Sequence, residues 1–276
     1  MSHTASTSHI ALQLLDRLNH GKYFLKHLAL AGNRHHIHSP FVYRLFEQVI
    51  DLASLKNGCL PLEAERTRLL TDTRSINLKD FGAGSQVSAK KTRTVASIAR
   101  SALMPPYWAG LLGKLANYVK AQRILELGTS FGLTTAYLAQ SGAQVVTLEG
   151  CLETAVVARK TFDHLALKNV HLIEGNLKQT LQVSLQQGPF DMVIIDANHS
   201  AKGMATAYET VKPHLSGNAL VVFDDIYWSR ETSIFWTSFV STHRECQIID
   251  LFRQGWVFHM PSQRGEYFRL RTPVLW

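Results

Sequence analysis

The chain has 276 residues, 46% hydrophobic and 18% charged, a globular composition that excludes a disordered or collagen-like chain. Apolar runs are short (Ala219-Leu-Val-Val-Phe223 is among the longest) and the start Met1-Ser-His-Thr-Ala-Ser lacks a basic-then-apolar pattern, so neither a membrane span nor a secretory signal is expected. Three widely spaced cysteines, Cys59, Cys151 and Cys246, point away from a disulfide framework or a zinc site and towards a reducing cytoplasm. The net charge of +8 leaves nucleic acid, membrane surface or an acidic small molecule open as partners, but it is unevenly spread. Residues 1–120 carry net +9 and residues 121–276 net −1, and the stretch from Phe81 to Leu125 holds seven basic residues and no acid.

Residues 1–8 are Ser/Thr/His-rich and expected to fray. Ile10, Leu14, Leu15 and Leu18 recur at helical spacing. Arg34-His-His-Ile-His38 has no acid or cysteine close in sequence, so a polar turn is expected rather than a metal site. Ser39-Pro40 reads as an N-cap followed by proline at the first helical position. Phe41, Val42, Leu45, Phe46, Val49 and Ile50 continue that helix on one face. Residues 56–94 are mixed and polar, with a Gly-rich piece at Phe81-Gly-Ala-Gly-Ser85. Pro105-Pro106 stops what precedes it, and Trp108, Leu111, Leu112, Leu115 and Val119 form the buried stripe of another helix.

From Arg123 onward the pattern changes. Apolar runs at 124–127, 145–148, 170–173, 192–195 and 220–223 alternate with helical segments such as 134–140 and 152–165. Strands alternating with helices predict a mostly parallel sheet covered on both faces. Residues 247–252 and 256–260, joined by a tight Arg-Gln-Gly link, predict an antiparallel hairpin closing it. The expected organisation is a basic, mainly helical extension over residues 1–104 and an α/β domain over residues 105–276.

The first strand runs into Glu126-Leu-Gly-Thr-Ser-Phe-Gly132. Gly128 and Gly132 let the backbone turn tightly and approach a ligand, and the helix that follows offers free N–H groups. The spacing is not the Gly-x-Gly-x-x-Gly of dinucleotide folds, and a carboxylate at the strand tip suits an ammonium or sulfonium better than a pyrophosphate. Glu149, followed by Gly150, lies 23 residues further on at the second strand tip, where an acid can accept both ribose hydroxyls. Asn176 at the third tip could meet an adenine edge, and Asp196 ends the fourth. Asp80-Phe-Gly-Ala-Gly-Ser85 imitates such a loop but follows no apolar strand, and no acid occurs in the next 45 residues, so it reads as a turn or lid segment.

The order of Ile124-Leu-Glu-Leu-Gly-Thr-Ser-Phe-Gly132, Val146-Thr-Leu-Glu149, Glu174-Gly-Asn176, Phe190-Asp-Met-Val-Ile-Ile-Asp196 and Phe223-Asp-Asp225 resembles the class I S-adenosylmethionine-dependent methyltransferases over about residues 105–260. The resemblance implies their Rossmann-like fold, a mostly parallel seven-stranded sheet with a C-terminal antiparallel hairpin. It also implies a cofactor site of Glu126, Gly128, Thr129, Ser130, Gly132, Glu149, Gly150, Asn176 and Asp196. Methionine would lie at Glu126, Gly128 and Thr129, ribose at Glu149 and adenine at Asn176.

Asp196-Ala-Asn-His199 and Asp224-Asp225-Ile-Tyr-Trp228 are further similar to the metal-dependent small-molecule O-methyltransferases. That likeness implies Asp196, Asp224 and Asp225 as ligands of one Mg²⁺, which would lower the pKa of an acceptor hydroxyl. His199 stands where the catechol type carries lysine, as in sugar and macrolide enzymes. Asp196 and His199 are the expected catalytic pair, with His199 as base. An acid at the fourth tip also occurs in metal-free relatives, and Asp225 could instead cap the next helix. Tyr227 and Trp228 suit either an acceptor wall or core packing.

His38-Ser-Pro-Phe-Val-Tyr43, Lys79-Asp-Phe-Gly-Ala-Gly-Ser85, Pro105-Pro106 and Phe223-Asp-Asp-Ile-Tyr-Trp-Ser229 resemble Bacteroidetes-type class I methyltransferases over nearly the whole chain. The expected function is metal-assisted O-methylation of a small acceptor; Lys90, Lys91, Arg93 and Arg100 either line its entrance and favour an anionic acceptor or form a solvated basic face. An RNA methyltransferase using that basic region and a non-catalytic cofactor-binding scaffold are the alternatives. The expected partner is a small molecule, with neither nucleic acid nor membrane, and a homodimer is an open expectation.

Overall fold

The computed structural model describes residues 20–51, 59–78, 92–197 and 200–273. The expected helix over Ile10 to Leu18, the Gly-rich piece 81–85, Lys90, Lys91 and His199 lie outside the described residues.

The central runs form strands around continuous apolar stretches such as Met192–Ile195 and Ala219–Phe223, as strands covered on both faces do. They are β3 (Arg123–Leu127), β4 (Gln144–Glu149), β5 (Val170–Glu174), β6 (Phe190–Ile195) and β7 (Leu215–Phe223). The C-terminal strands are β8 (Gln247–Asp250), β9 (Gly255–Phe258) and β10 (Tyr267–Arg269). The sheet has eight strands in the order β10-β8-β9-β7-β6-β3-β4-β5. Only β9 runs against its neighbours, β7 and β8, while the other pairs are parallel. The expected hairpin is therefore β8–β9. The eighth strand, β10, was not foreseen: three residues with Tyr267 exposed carry no periodic signal. A separate two-stranded hairpin, β1 (Ser75–Asn77) with β2 (Thr92–Thr94), lies in the N-terminal region.

Several helices begin where the sequence supplies a capping side chain. Ser39 accepts from Val42 N ahead of Pro40 at the start of α2 (Pro40–Leu45), and the chain continues as a wider helical turn over Phe46–Asp51. Residues 34–36 form an exposed 3₁₀ turn whose Asn33 side chain accepts from His35 N, the polar turn expected there. The other helices are α1 (residues 20–30), α3 (Leu60–Thr71), α4 (Val95–Ala102), α5 (Pro106–Tyr118), α6 (Leu133–Ala139), α7 (Leu152–His164), α8 (Leu177–Ser184), α9 (Ala201–Val211) and α10 (Arg230–Thr242). Among the described residues no helix is long and apolar enough to cross a membrane.

On one sheet face α5 packs Trp108, Leu111, Leu112 and Leu115 against Ile124, Met192 and Leu220. Val42, Leu45, Val49 and Ile50 belong to the same buried cluster, so apolar residues on both sides of residue 104 share one core. On the other face Met204 and Tyr208 of α9 and Trp236 and Phe239 of α10 cover Val193, Val221 and Val257.

Asp250, fully buried at the end of β8, ties the C-terminal elements together. It accepts from Tyr227 Oη at 2.8 Å, Tyr267 Oη at 2.7 Å and Phe252 N at 2.9 Å. His27 Nδ1 of α1 lies 3.3 Å away. Burial alone would raise its pKa, but the bonds from His27, Tyr267 and Phe252 N hold it down at about 2. Tyr227 is thereby committed to the core, stacked between Tyr23 and Phe252, whereas Trp228 is 54% exposed.

Candidate active site

Strands β3 and β6 are neighbours whose connections leave to opposite sides, so a crevice opens at their carboxyl ends, where open α/β sheets take ligands. The loop after β3 crosses this edge at close quarters. Gly128 sits at φ +107°, and a Cβ there would lie 2.6 Å from the Asp196 carbonyl oxygen. Gly132, the N-cap of α6 at φ +78°, would drive a Cβ to 2.4 Å from the Phe162 ring. Only glycine meets both demands. Between them Ser130 holds φ +50°, an uncommon conformation for a residue with a side chain.

Two carboxylates brace this loop. Glu149 receives the Ser130 N–H on Oε2 and the Cys151 N–H on Oε1, each at 2.8 Å. Glu126, 1% exposed, accepts from Thr135 Oγ1 at 2.5 Å and Thr147 Oγ1 at 2.6 Å. Burial lifts its pKa to about 7, against the opposing pull of the two threonine bonds. Thr129 turns inward, its hydroxyl 2.6 Å from that of Thr147. Asn176 caps α8, its Oδ1 accepting from Lys178 N at 3.0 Å.

The N-terminal region reaches this edge and the helices behind it. Asn77 N of β1 donates to Glu153 Oε2 at 2.7 Å, and Cys151 Sγ lies 3.7 Å from the Asn77 carbonyl. The β1–β2 hairpin therefore stands beside the Glu149 tip. From α3, Glu63 accepts from Tyr137 Oη of α6, and Glu65 lies 3.4 Å from His164 of α7. Arg93 and Arg100 are engaged locally, Arg93 with Ser97 and Ser101 and Arg100 with the Leu70 carbonyl.

Across the crevice, Asp196, Asp224 and Asp225 gather at the ends of β6 and β7. Burial, then the charges of Asp224 and Asp225, push the Asp196 carboxyl well above its ordinary range. Asp224 is 1% exposed, and Asp225 stands at φ +53°. The group facing them is a guanidinium: Arg253 Nη2 lies 3.0 Å from Asp224 Oδ2 and 3.5 Å from Asp225 Oδ1. The three acids do not fit the expected Mg²⁺ set in this arrangement. Two of them turn oxygens to an arginine, and among the described residues no group of three or more His, Cys, Asp or Glu is arranged to hold a metal ion. The acids do converge, as the resemblance implied, but around a protein cation.

Arg253 escaped the sequence reading, as did Thr135 and Thr147. The signal for Arg253 was a cation isolated between two apolar strands at the same end of the sheet as an acid pair.

A Gly-rich loop and ordered acids along the carboxyl edge of a β5-β4-β3-β6-β7 sheet form the arrangement that the resemblance to class I methyltransferases implied. Residues 125–226 match a family model described as a methyltransferase domain. A protein-L-isoaspartate O-methyltransferase of Koribacter versatilis is 34% identical over 92 residues, 33% of this chain and 40% of that protein. A catechol O-methyltransferase of Mycobacterium tuberculosis is 39% identical over 88 residues, 30% of this chain and 40% of that protein. A Bacillus cereus O-methyltransferase solved in complex with SAH shares the fold with a TM-score of 0.56 at 19% identity, over 74% of this chain and 92% of that one. The chain spans between 40% and 54% of the length of the first curated relatives it matches.

Proposed function

We propose that the protein is an S-adenosylmethionine-dependent methyltransferase acting on an oxygen of a small acceptor. The observation that carries this reading is the braced loop at the β3/β6 crevice, with Gly128 and Gly132 in conformations that bring bare backbone to the edge and Glu149 fastened beside them. The isoaspartate and catechol O-methyltransferases it resembles over that segment support oxygen as the atom methylated.

S-adenosylmethionine supplies a methyl group on a sulfonium, transferred in line to the acceptor oxygen as the carbon–sulfur electron pair returns to sulfur. The chain's own task is alignment and electrostatics. Gly128, Thr129, Ser130 and Gly132 shape the backbone cradle for the methionine part. Glu149 and Gly150 take the ribose, and Asn176, at the β5 tip, takes the adenine edge. Glu126 lies beneath the loop, where its carboxylate complements the ligand's positive charge. Asp196, at the acceptor side, and His199 are proposed to position the acceptor and accept its proton. The N-terminal residues 1–104 are read as a cap, since β1 stands beside the Glu149 tip.

Equilibrium binding tests the reading. One S-adenosylmethionine per chain is expected, displaced by S-adenosylhomocysteine and weakened by Glu149→Gln. Absence of binding to the folded chain would overturn it.

A further inference from the structure

The acid cluster at the ends of β6 and β7 is closed by an arginine, and the way that arginine is held makes it part of the site's construction. Arg253 lies in the turn between β8 and β9. That turn is fixed at three points: Phe252 N donates to Asp250 Oδ1 at 2.9 Å, Leu251 N to the Gln254 carbonyl at 2.9 Å, and Arg253 N to the Leu251 carbonyl at 2.9 Å. A fourth bond joins it to the acids' own loop, since Ile226 N donates to the Arg253 carbonyl at 3.2 Å. Asp225, at φ +53°, is thus flanked by a residue bonded to the backbone of its own charge partner. With 19% of its side chain exposed and Asp224 at 1%, the pair is largely withdrawn from water, where a charge needs a partner.

We infer that Arg253 is a resident cation that takes the place of the divalent metal at the acceptor side, so that this chain's methyl transfer runs without a bound metal ion. The inference rests on the methyltransferase reading above. It also bears on the acceptor. A divalent ion offers several coordination positions to oxygen ligands, whereas the atoms left unpaired here are one acceptor and one donor. Asp224 Oδ1 and Arg253 Nε, both buried, have no hydrogen-bond partner among the described residues. One accepts and the other donates, which is the complement of a single hydroxyl. The acceptor class that fits is therefore one carrying a lone hydroxyl, with no requirement for a neighbouring oxygen.

Manganese serves as the probe, with binding followed by electron paramagnetic resonance on protein saturated with S-adenosylhomocysteine. The wild type is expected to bind no Mn²⁺ that Asp224→Asn removes. Arg253→Gln, which leaves the three carboxylates without their cation, is expected to bind one Mn²⁺ at least about tenfold more tightly than the wild type, and adding Asp224→Asn should abolish the gain. A wild-type site lost in Asp224→Asn would overturn the inference, as would equal Mn²⁺ binding with and without Arg253. If Arg253→Gln shows no thermal transition, Arg253→Lys takes its place. A lysine ammonium is a point charge that does not bridge two carboxylates as a guanidinium fork does, so Mn²⁺ affinity should still rise, and an unchanged affinity overturns the inference. The S-adenosylhomocysteine titration of the same proteins separates the two claims: its failure defeats the methyltransferase reading, whereas its success beside a wild-type Mn²⁺ site defeats only the role of Arg253.

Discussion

Two clusters of acids face each other across one crevice and are satisfied by opposite means. On the β3–β4 side, Glu126 and Glu149 are held by neutral donors, two threonine hydroxyls and two backbone amides. On the β6–β7 side, Asp224 and Asp225 face a guanidinium. Neutral donors leave negative charge uncancelled, so the first cluster still has an attraction to offer an incoming sulfonium or ammonium. The second has its compensating charge built in. The contrast teaches that a row of acids along a sheet edge does not by itself mean a row of cation sites, because what the intervening turns bring to the edge decides each one.

The largest test of this contrast removes the built-in charge. Arg253→Gln leaves Asp224 buried beside a neutral amide and is expected to cost about 3–5 kcal/mol of stability near neutral pH, read by denaturant unfolding. A loss below 1 kcal/mol would mean that Asp224 and Asp225 are solvated without Arg253. On the opposite side, Gly132→Ala forces a side chain into the Phe162 ring at positive φ, with an expected cost of about 1–3 kcal/mol and weakened S-adenosylhomocysteine binding. Unchanged stability and binding would show that the loop relaxes freely and is no cradle. Glu149→Gln removes the charge and turns one of the two accepting oxygens into a donor, breaking one of its two backbone bonds. Its expected effect is a 10- to 100-fold drop in affinity for S-adenosylhomocysteine, from losing charge-assisted bonds of about 1.5–3 kcal/mol.

The smallest effect concerns protons. Burial raises the folded pKa of Glu126 from 4.5 to about 7. A raised carboxyl contributes stability that is fully present below pH 4.5 and fades as pH climbs to about 7. A bound cation favours the ionised form, so S-adenosylmethionine should release a proton on binding near pH 6. Calorimetry in two buffers of different ionisation enthalpy reads this directly, and Glu126→Gln should erase the difference. Identical apparent enthalpies for the wild type would mean that Glu126 does not sense the ligand.

Much of the fold was legible because of how it is buried. Strands β3 to β7 lie under helices, so each carries a run of mostly apolar residues, and Ser39-Pro40 announces its helix by chemistry local to two residues. The short polar strands β1, β2 and β10 escaped, because three residues with one or two exposed give no periodicity. The same distinction divides the site. Gly128, Gly132 and Glu149 act through positions set by the adjoining strand tips, so their spacing reveals them. The pairing of Arg253 with Asp224 crosses 29 residues and depends on how the β8–β9 turn folds back on the β7 tip. The likeness to metal-dependent O-methyltransferases suggested a metal for those acids, because the competing cation was visible only once the turn was placed. Thr135 and Thr147 escaped for the same reason, each reading as an ordinary helix or strand residue until Glu126 is seen between them.

Hydrogen exchange of the backbone amides, measured with and without S-adenosylhomocysteine, tests most directly whether the β3–β4 side of the crevice is the ligand site. Added ligand should slow exchange at residues 126–132 and 149–151 and leave the outer surface of α9 and α10 unaffected. Protection elsewhere with none in the loop between β3 and α6 would contradict the account.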